Sequence, residues 1–121
     1  MKEKKVLVVD SSTLSRKNTV SCLLKAGFEE SLIFESSSYE HFQTLAQDLQ
    51  PDIVISELKI EGGSCFDLFR ESRNLFENVV VILTTALRKF GLEGQIVEEN
   101  VDGVILKPYK NEVFSKSLKE I

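Results

Sequence analysis

The stretch "PDIVISELKIEGG" (51–63) carries the pattern that decides the fold. Ile53, Val54, Ile55 and Leu58 make an apolar run, and a single carboxylate, Glu57, interrupts it. Short runs rich in β-branched residues read as strands covered on both faces. A charge near the end of such a strand is costly unless something pairs with it. The stretch therefore poses a second question, the partner of Glu57.

Working outward, similar runs recur at "VLVV" (6–9), "LIF" (32–34), "VVVIL" (79–83) and "GVIL" (103–106). The intervening segments have helical spacing instead. Val20, Leu23, Leu24 and Phe28 form one stripe; Phe42, Leu45, Ala46 and Leu49 a second; Cys65, Leu68, Phe69 and Phe76 a third; Phe114, Leu118 and Ile121 a last one. Gly27 suits a left-handed cap after the first helix, and Pro51 bars the second from continuing. In "LRKFGLEGQIVEEN" (87–100), Gly91 and Gly94 each cost about 1 kcal/mol relative to Ala, so a short or mobile fourth helix is expected there.

Strict alternation of strand and helix with short connections predicts an α/β fold: a (βα)5 doubly wound, five-stranded parallel sheet of order 2-1-3-4-5, in the flavodoxin-like three-layer sandwich. The 121 residues suit one domain, 1–121, large enough for a proper core. A formal net charge of -4, with no basic cluster beyond "KEKK", argues against a nucleic-acid surface. Cys22 and Cys65 have no metal-ligand spacing and read as buried free thiols in a reducing cytoplasm. No apolar run approaches the roughly 18 residues needed to span a bilayer, and no secretory signal is visible. A cytoplasmic domain, alone or cut from a longer chain, is expected.

Ligand sites in such sheets lie beyond the carboxyl ends of the strands, where strand order reverses. Here that point falls between the first and third strands. The strand ends supply Asp10, followed by Ser11, Ser12 and Thr13; Glu57; Thr84 and Thr85; and Lys107 before Pro108. Two carboxylates, several hydroxyls and one ammonium converge on one edge. For Asp10 alone, a helix cap would suffice as explanation, and Ser11, Ser12 or Thr13 could cap equally well. His41 sits on a polar helix face with no catalytic partner.

The segments "KVLVVDSSTLSRK" (5–17), "PDIVISELKIEGGSCFDL" (51–68), "VVVILTTA" (79–86) and "VDGVILKPYKNEVF" (101–114) together resemble the receiver domain of two-component response regulators, the CheY-like family. The resemblance covers essentially the whole chain. It implies an acidic pair after the first strand that holds Mg²⁺ and an Asp ending the third strand that accepts a phosphoryl group from a histidine kinase. It further implies a Thr or Ser and a Lys that contact the phosphoryl oxygens, and an aromatic switch residue on the fifth strand.

Carried onto this chain, Asp10 matches the first acid, Ser11 stands at the second, and Glu57 occupies the phosphoacceptor position. Thr85 matches the switch hydroxyl, with Thr84 the alternative, and Lys107 matches the lysine. Val104 replaces the switch aromatic, Glu61 stands where a Pro is usual, and Pro108 is the candidate for a cis peptide after the lysine. The metal set implied is Asp10, Glu57 and the backbone oxygen of Lys59. Ser11 removes an anionic ligand from it, so Mg²⁺ is expected to bind weakly or not at all.

Glu57 extends its carboxylate about 1.5 Å beyond an Asp, toward Lys107 and Thr85. The expectation is a phosphorylation-independent pseudo-receiver, not an enzyme. It would act through a protein partner, a histidine kinase or a downstream effector, as a monomer or a weak homodimer through the helix 4–strand 5–helix 5 face. Two other readings stand beside it: a working phospho-accepting receiver with Mg²⁺, and a flavodoxin-type cofactor binder suggested by the hydroxyl-rich "DSSTLSRKNT" (10–19).

Overall fold

The computed structural model describes residues 3–85 and 100–107. In chain order the elements are β1 (Val6–Val9), α1 (Thr13–Lys25), β2 (Ile33–Ser36), α2 (Tyr39–Leu49), β3 (Ile53–Glu57), the short strands β4 (Lys59–Ile60) and β5 (Gly63–Ser64), α3 (Cys65–Leu75), β6 (Val80–Thr85) and β7 (Gly103–Leu106). Five strands form one parallel sheet in the order β2-β1-β3-β6-β7. That is the expected 2-1-3-4-5 arrangement, counted over the sheet strands alone. The expected fourth helix and last helical stripe lie outside the described residues, as does Pro108.

The apolar runs fold this way because alternate side chains feed two separate cores. Leu7, Val9, Val54, Val81 and Leu83 join Phe42 and Ala46 of α2 and Cys65, Leu68 and Phe69 of α3 on one face. Val6, Val8, Ile53, Ile55, Ile82 and Ile105 join Cys22 and Leu23 of α1 and Phe28 on the other. Strands buried on both faces need apolar residues at every position, not at every second one. Val6 through Val9 are all buried.

Local chemistry ends each helix. Ser12, Ser38 and Ser64 cap α1, α2 and α3, accepting the amides of Ser15, His41 and Phe66 respectively. After α1, Gly27 takes φ 99° while the Phe28 amide donates to the Leu23 carbonyl and the Gly27 amide to Leu24. These are the paired bonds of a Schellman closure, with Phe28 buried beneath it. Gln50 turns left-handed at φ 51° before Pro51.

Two expectations shift. The "LIF" run places a strand at 32–34, yet Leu32 ends a 3₁₀ turn and the strand continues through Glu35 and Ser36. An edge strand takes its length from backbone pairing with its neighbour, here Val6↔Ile33 through Val9↔Ser36, and tolerates polar side chains. Leu24 is exposed; Thr19, Cys22 and Leu23 form the buried face of α1 instead.

Candidate functional site

The site begins where β1 and β3 part. β2 lies on one side of β1 and β3 on the other, so the chain leaves the two strand ends in opposite directions and opens a crevice between them. Asp10 follows β1 with its side chain only 4% exposed, and Glu57 ends β3 at 21%. Lys107 follows β7 at 16%, fixed by its amide donating to the Thr85 carbonyl at 2.8 Å.

The Lys107 ammonium is the centre of the arrangement. It donates to Asp10 Oδ2 at 3.0 Å, to Glu57 Oε2 and to Ser15 Oγ. The partner of Glu57 is therefore the lysine expected from the strand-end reading. Burial by itself lowers the Lys107 pKa. The hydrogen bonds to Glu57 and Asp10, with the charges of both carboxylates, outweigh it and hold the pKa above the ordinary lysine value.

The remaining carboxylate oxygens are also engaged. Asp10 Oδ1 accepts the Ser12 amide at 2.9 Å, and Glu57 Oε1 accepts the Leu58 amide at 2.9 Å. The cap of α1 is Ser12, not Asp10. Asp10 thereby keeps a role in the cluster, and its carbonyl accepts Arg16 Nη1 at 2.7 Å.

Ser11, set at the second acid position by the resemblance, is engaged with backbone groups. Its hydroxyl donates to the Ser37 carbonyl at 3.1 Å and accepts the Glu61 amide at 2.8 Å. The residue ties the loops after β1, β2 and β3 together. The Tyr39 amide adds a bond to the Glu61 carbonyl at 2.8 Å, and Ser38 and Glu61 form a parallel bridge. Lys59, whose carbonyl the resemblance assigns to a metal, lies in the β4–β5 hairpin opposite Ser64.

This donor set does not fit Mg²⁺, which demands near-octahedral oxygen ligands. All four carboxylate oxygens of Asp10 and Glu57 already accept hydrogen bonds, two of them from a cation, and the Ser11 hydroxyl serves two backbone groups. Among the described residues no group of three or more His, Cys, Asp or Glu could hold a metal ion.

Thr84 and Thr85 are both buried. In the sheet register Glu57 pairs with Thr84, while Thr85 pairs with Leu106. Val104 pairs with Leu83 and, partly buried, packs against the edge of the α2–α3 core. Of the hydroxyl-rich stretch 10–19, Ser11 and the cap Ser12, with Ser15 and Thr19 on α1, all bond within the fold. Ser15 is the participant that sequence reasoning missed. The available signal was its place three residues past the cap, on the first turn facing the strand ends. Among the described residues, no helix is long and apolar enough to cross a membrane.

Comparison with known proteins agrees with this fold. Chemotaxis protein CheY of Thermotoga maritima is 21% identical over 118 residues, covering 98% of this chain and 97% of that protein. Sensory transduction protein LytT of Bacillus subtilis is 24% identical over 116 residues, covering 96% of this chain but 47% of LytT. The chain thus spans about half the length of the LytT proteins it matches. Among solved structures, the chemotaxis response regulator CheY4 of Vibrio cholerae superposes with a TM-score of 0.84 at 21% identity, covering 97% of both chains. A LuxR-family DNA-binding response regulator from Staphylococcus aureus gives 0.84 at 20% identity, also with 97% of both chains covered. A family model described as the response regulator receiver domain matches residues 6–119. The sheet order, the cluster of Asp10, Glu57 and Lys107 at the strand ends and the extent of that match lead to one assignment: this chain belongs to the receiver domains of two-component response regulators.

Proposed function

We propose that this receiver domain, taken as one unit over residues 1–121, works without phosphorylation. It would present to protein partners a surface set by its sequence. The observation that carries the reading is the bond from Lys107 to Glu57 at the phosphoacceptor position. The lysine that a receiver would turn toward a phosphoryl group is already satisfied by a carboxylate.

Two physical arguments support it. Phosphoryl transfer depends on positioning and on stabilising an in-line geometry, and a displacement near 1 Å can cost on the order of 100-fold in rate. Glu57 is displaced by one methylene and engaged at both oxygens. Glu57 also reproduces only part of a phosphorylated state: a phosphoryl group brings about -1.5 to -2 charge and three acceptor oxygens, whereas a carboxylate brings one charge and two. Val104 in place of an aromatic removes the large rotamer change that would couple the site to the outer face.

The roles follow from this reading. Asp10 and Glu57 hold Lys107; Thr85, or Thr84 by register, lines the same end of the sheet; Ser11 fixes the loops. Partners are a histidine kinase or a downstream effector, met in the cytoplasm. Self-association would use the outer face that includes β7; the helices expected beside it fall outside the described residues. The receiver-family match displaces the flavodoxin-type reading.

The test is incubation with a small phosphodonor and Mg²⁺, followed by intact mass. The expected result is an unmodified mass. A stable phosphoryl adduct mapped to Glu57 overturns the proposal in favour of a working receiver.

A further inference from the structure

We infer that Lys107 is the resident cation of this site: its ammonium, held by Asp10, Glu57 and Ser15, takes the place of a divalent metal and closes the crevice to one. The inference deepens the functional reading and rests on it for the identity of the crevice. It has its own observable.

The geometry supplies the argument. Three oxygens from three separate segments surround one nitrogen: Asp10 Oδ2 after β1, Ser15 Oγ on the first turn of α1, and Glu57 Oε2 at the end of β3. An ammonium has three N–H donors, so this set uses all of them. The cation is also anchored from behind, because the Lys107 amide is bonded to the Thr85 carbonyl at the end of β6. A tethered group of this kind competes at an effective concentration on the order of millimolar or above. Mg²⁺ arriving from solution must displace it while surrendering tightly held water.

Charge bookkeeping points the same way. Asp10 and Glu57 carry two negative charges and Lys107 returns one positive, leaving the cluster with a single net negative charge. A divalent ion added beside the ammonium would reverse that sign and face like-charge repulsion within a few ångströms, inside a crevice whose three side chains are each less than a quarter exposed. The residue that could have shifted the balance, Ser11, is neutral and bonded to the Ser37 carbonyl and the Glu61 amide. Ser15 has the role of a positioning residue, fixing where the ammonium sits. The Ser12 hydroxyl holds the Ser15 amide at 3.2 Å, and the Ser15 carbonyl accepts the Thr19 hydroxyl at 3.3 Å.

Removing the ammonium should leave two carboxylates facing one another across the crevice, which a divalent cation can then join. The experiment compares wild type with Lys107→Met, using Mn²⁺ as the probe, by isothermal titration and by paramagnetic broadening of the amides of residues 10–12 and 57–58. Wild type should show no broadening at millimolar Mn²⁺, and Lys107→Met should bind at least tenfold more tightly than wild type. Ser15→Ala keeps the lysine but loosens it, and should give detectable broadening at Mn²⁺ concentrations where wild type gives none. Site-specific binding to wild type overturns the inference, as does a folded Lys107→Met that binds no better than wild type. If Lys107→Met does not fold, the wild-type and Ser15→Ala spectra decide alone: broadening in wild type, or none in Ser15→Ala, overturns it. Wild type that binds Mn²⁺ yet takes no phosphate would sink this inference and leave the proposed function intact. Phosphorylation of metal-free wild type would do the reverse.

Discussion

Lys107 Nζ lies 3.0 Å from Asp10 Oδ2, joining two residues 97 apart in the chain and closing the far strand of the sheet onto the first. Asp10 is almost fully buried, so removing that ammonium would leave its carboxylate without the partner on Oδ2. Lys107→Ala should therefore cost about 2 kcal/mol, the scale of a charge-assisted hydrogen bond lost inside a protein. Urea melts measure it; a loss within about 0.5 kcal/mol, the ordinary surface range, would show that the cluster is not coupled.

On the proposed reading, aspartates at positions 57 and 11 should admit Mg²⁺. Glu57→Asp together with Ser11→Asp shortens the carboxylate that reaches Lys107 and adds an anionic ligand to the crevice. Titration with Mg²⁺ should give measurable binding to the double variant and none to wild type. Absence of binding in a folded double variant would mean that something other than these two departures excludes the cation.

Gly63 is demanded by a neighbour. A Cβ added there would lie 2.6 Å from Cδ2 and 3.1 Å from Cγ of Tyr39, near the root of the ring, where it cannot swing aside cheaply. Gly63→Ala should destabilise by about 1–3 kcal/mol, as overpacking does. Combining it with Tyr39→Ala should cost clearly less than the sum of the two single changes, read from a double-mutant cycle.

Glu35 gives a pH dependence with a definite sign. Burial by itself raises its pKa, but hydrogen bonds from Lys17 and Arg16, with their charges, bring it below the ordinary 4.5. A depressed folded value means that the stabilisation is full above 4.5 and fades as pH falls through the folded pKa. At neutral pH, Glu35→Gln should lose about 0.5–1 kcal/mol, since the pairs with Arg16 and Lys17 are partly exposed. The gap between variant and wild type should narrow in melts taken progressively below pH 4.5.

Cys65 is fully buried, and burial, followed by the nearby Glu57 charge, pushes its thiol up to about 12. Burial raises the Cys22 thiol as well. Neither should react with iodoacetamide in mildly alkaline buffer while the fold is intact, and both should react in urea. Mass spectrometry of the native sample reads the outcome directly; rapid alkylation of Cys65 would contradict the packing of α3 against the sheet.

The residues of "VLVV", "IVI" and "VVVIL" determined the sheet by themselves. A strand covered on both faces must be apolar at every position, and that requirement is written in the local sequence. The convergence of Asp10, Glu57 and Lys107 followed as well, because a parallel sheet of this order brings those strand ends to one edge. Tertiary structure alone decided how their charges were shared. The hydroxyl of Ser15 became a third acceptor for Lys107, Ser11 turned to Ser37 and Glu61, and the β4–β5 hairpin set Gly63 beneath Tyr39. Hydrogen bonds between distant segments depend on distances of a few tenths of an ångström and on competition among donors. Local hydrophobic pattern carries no information about either.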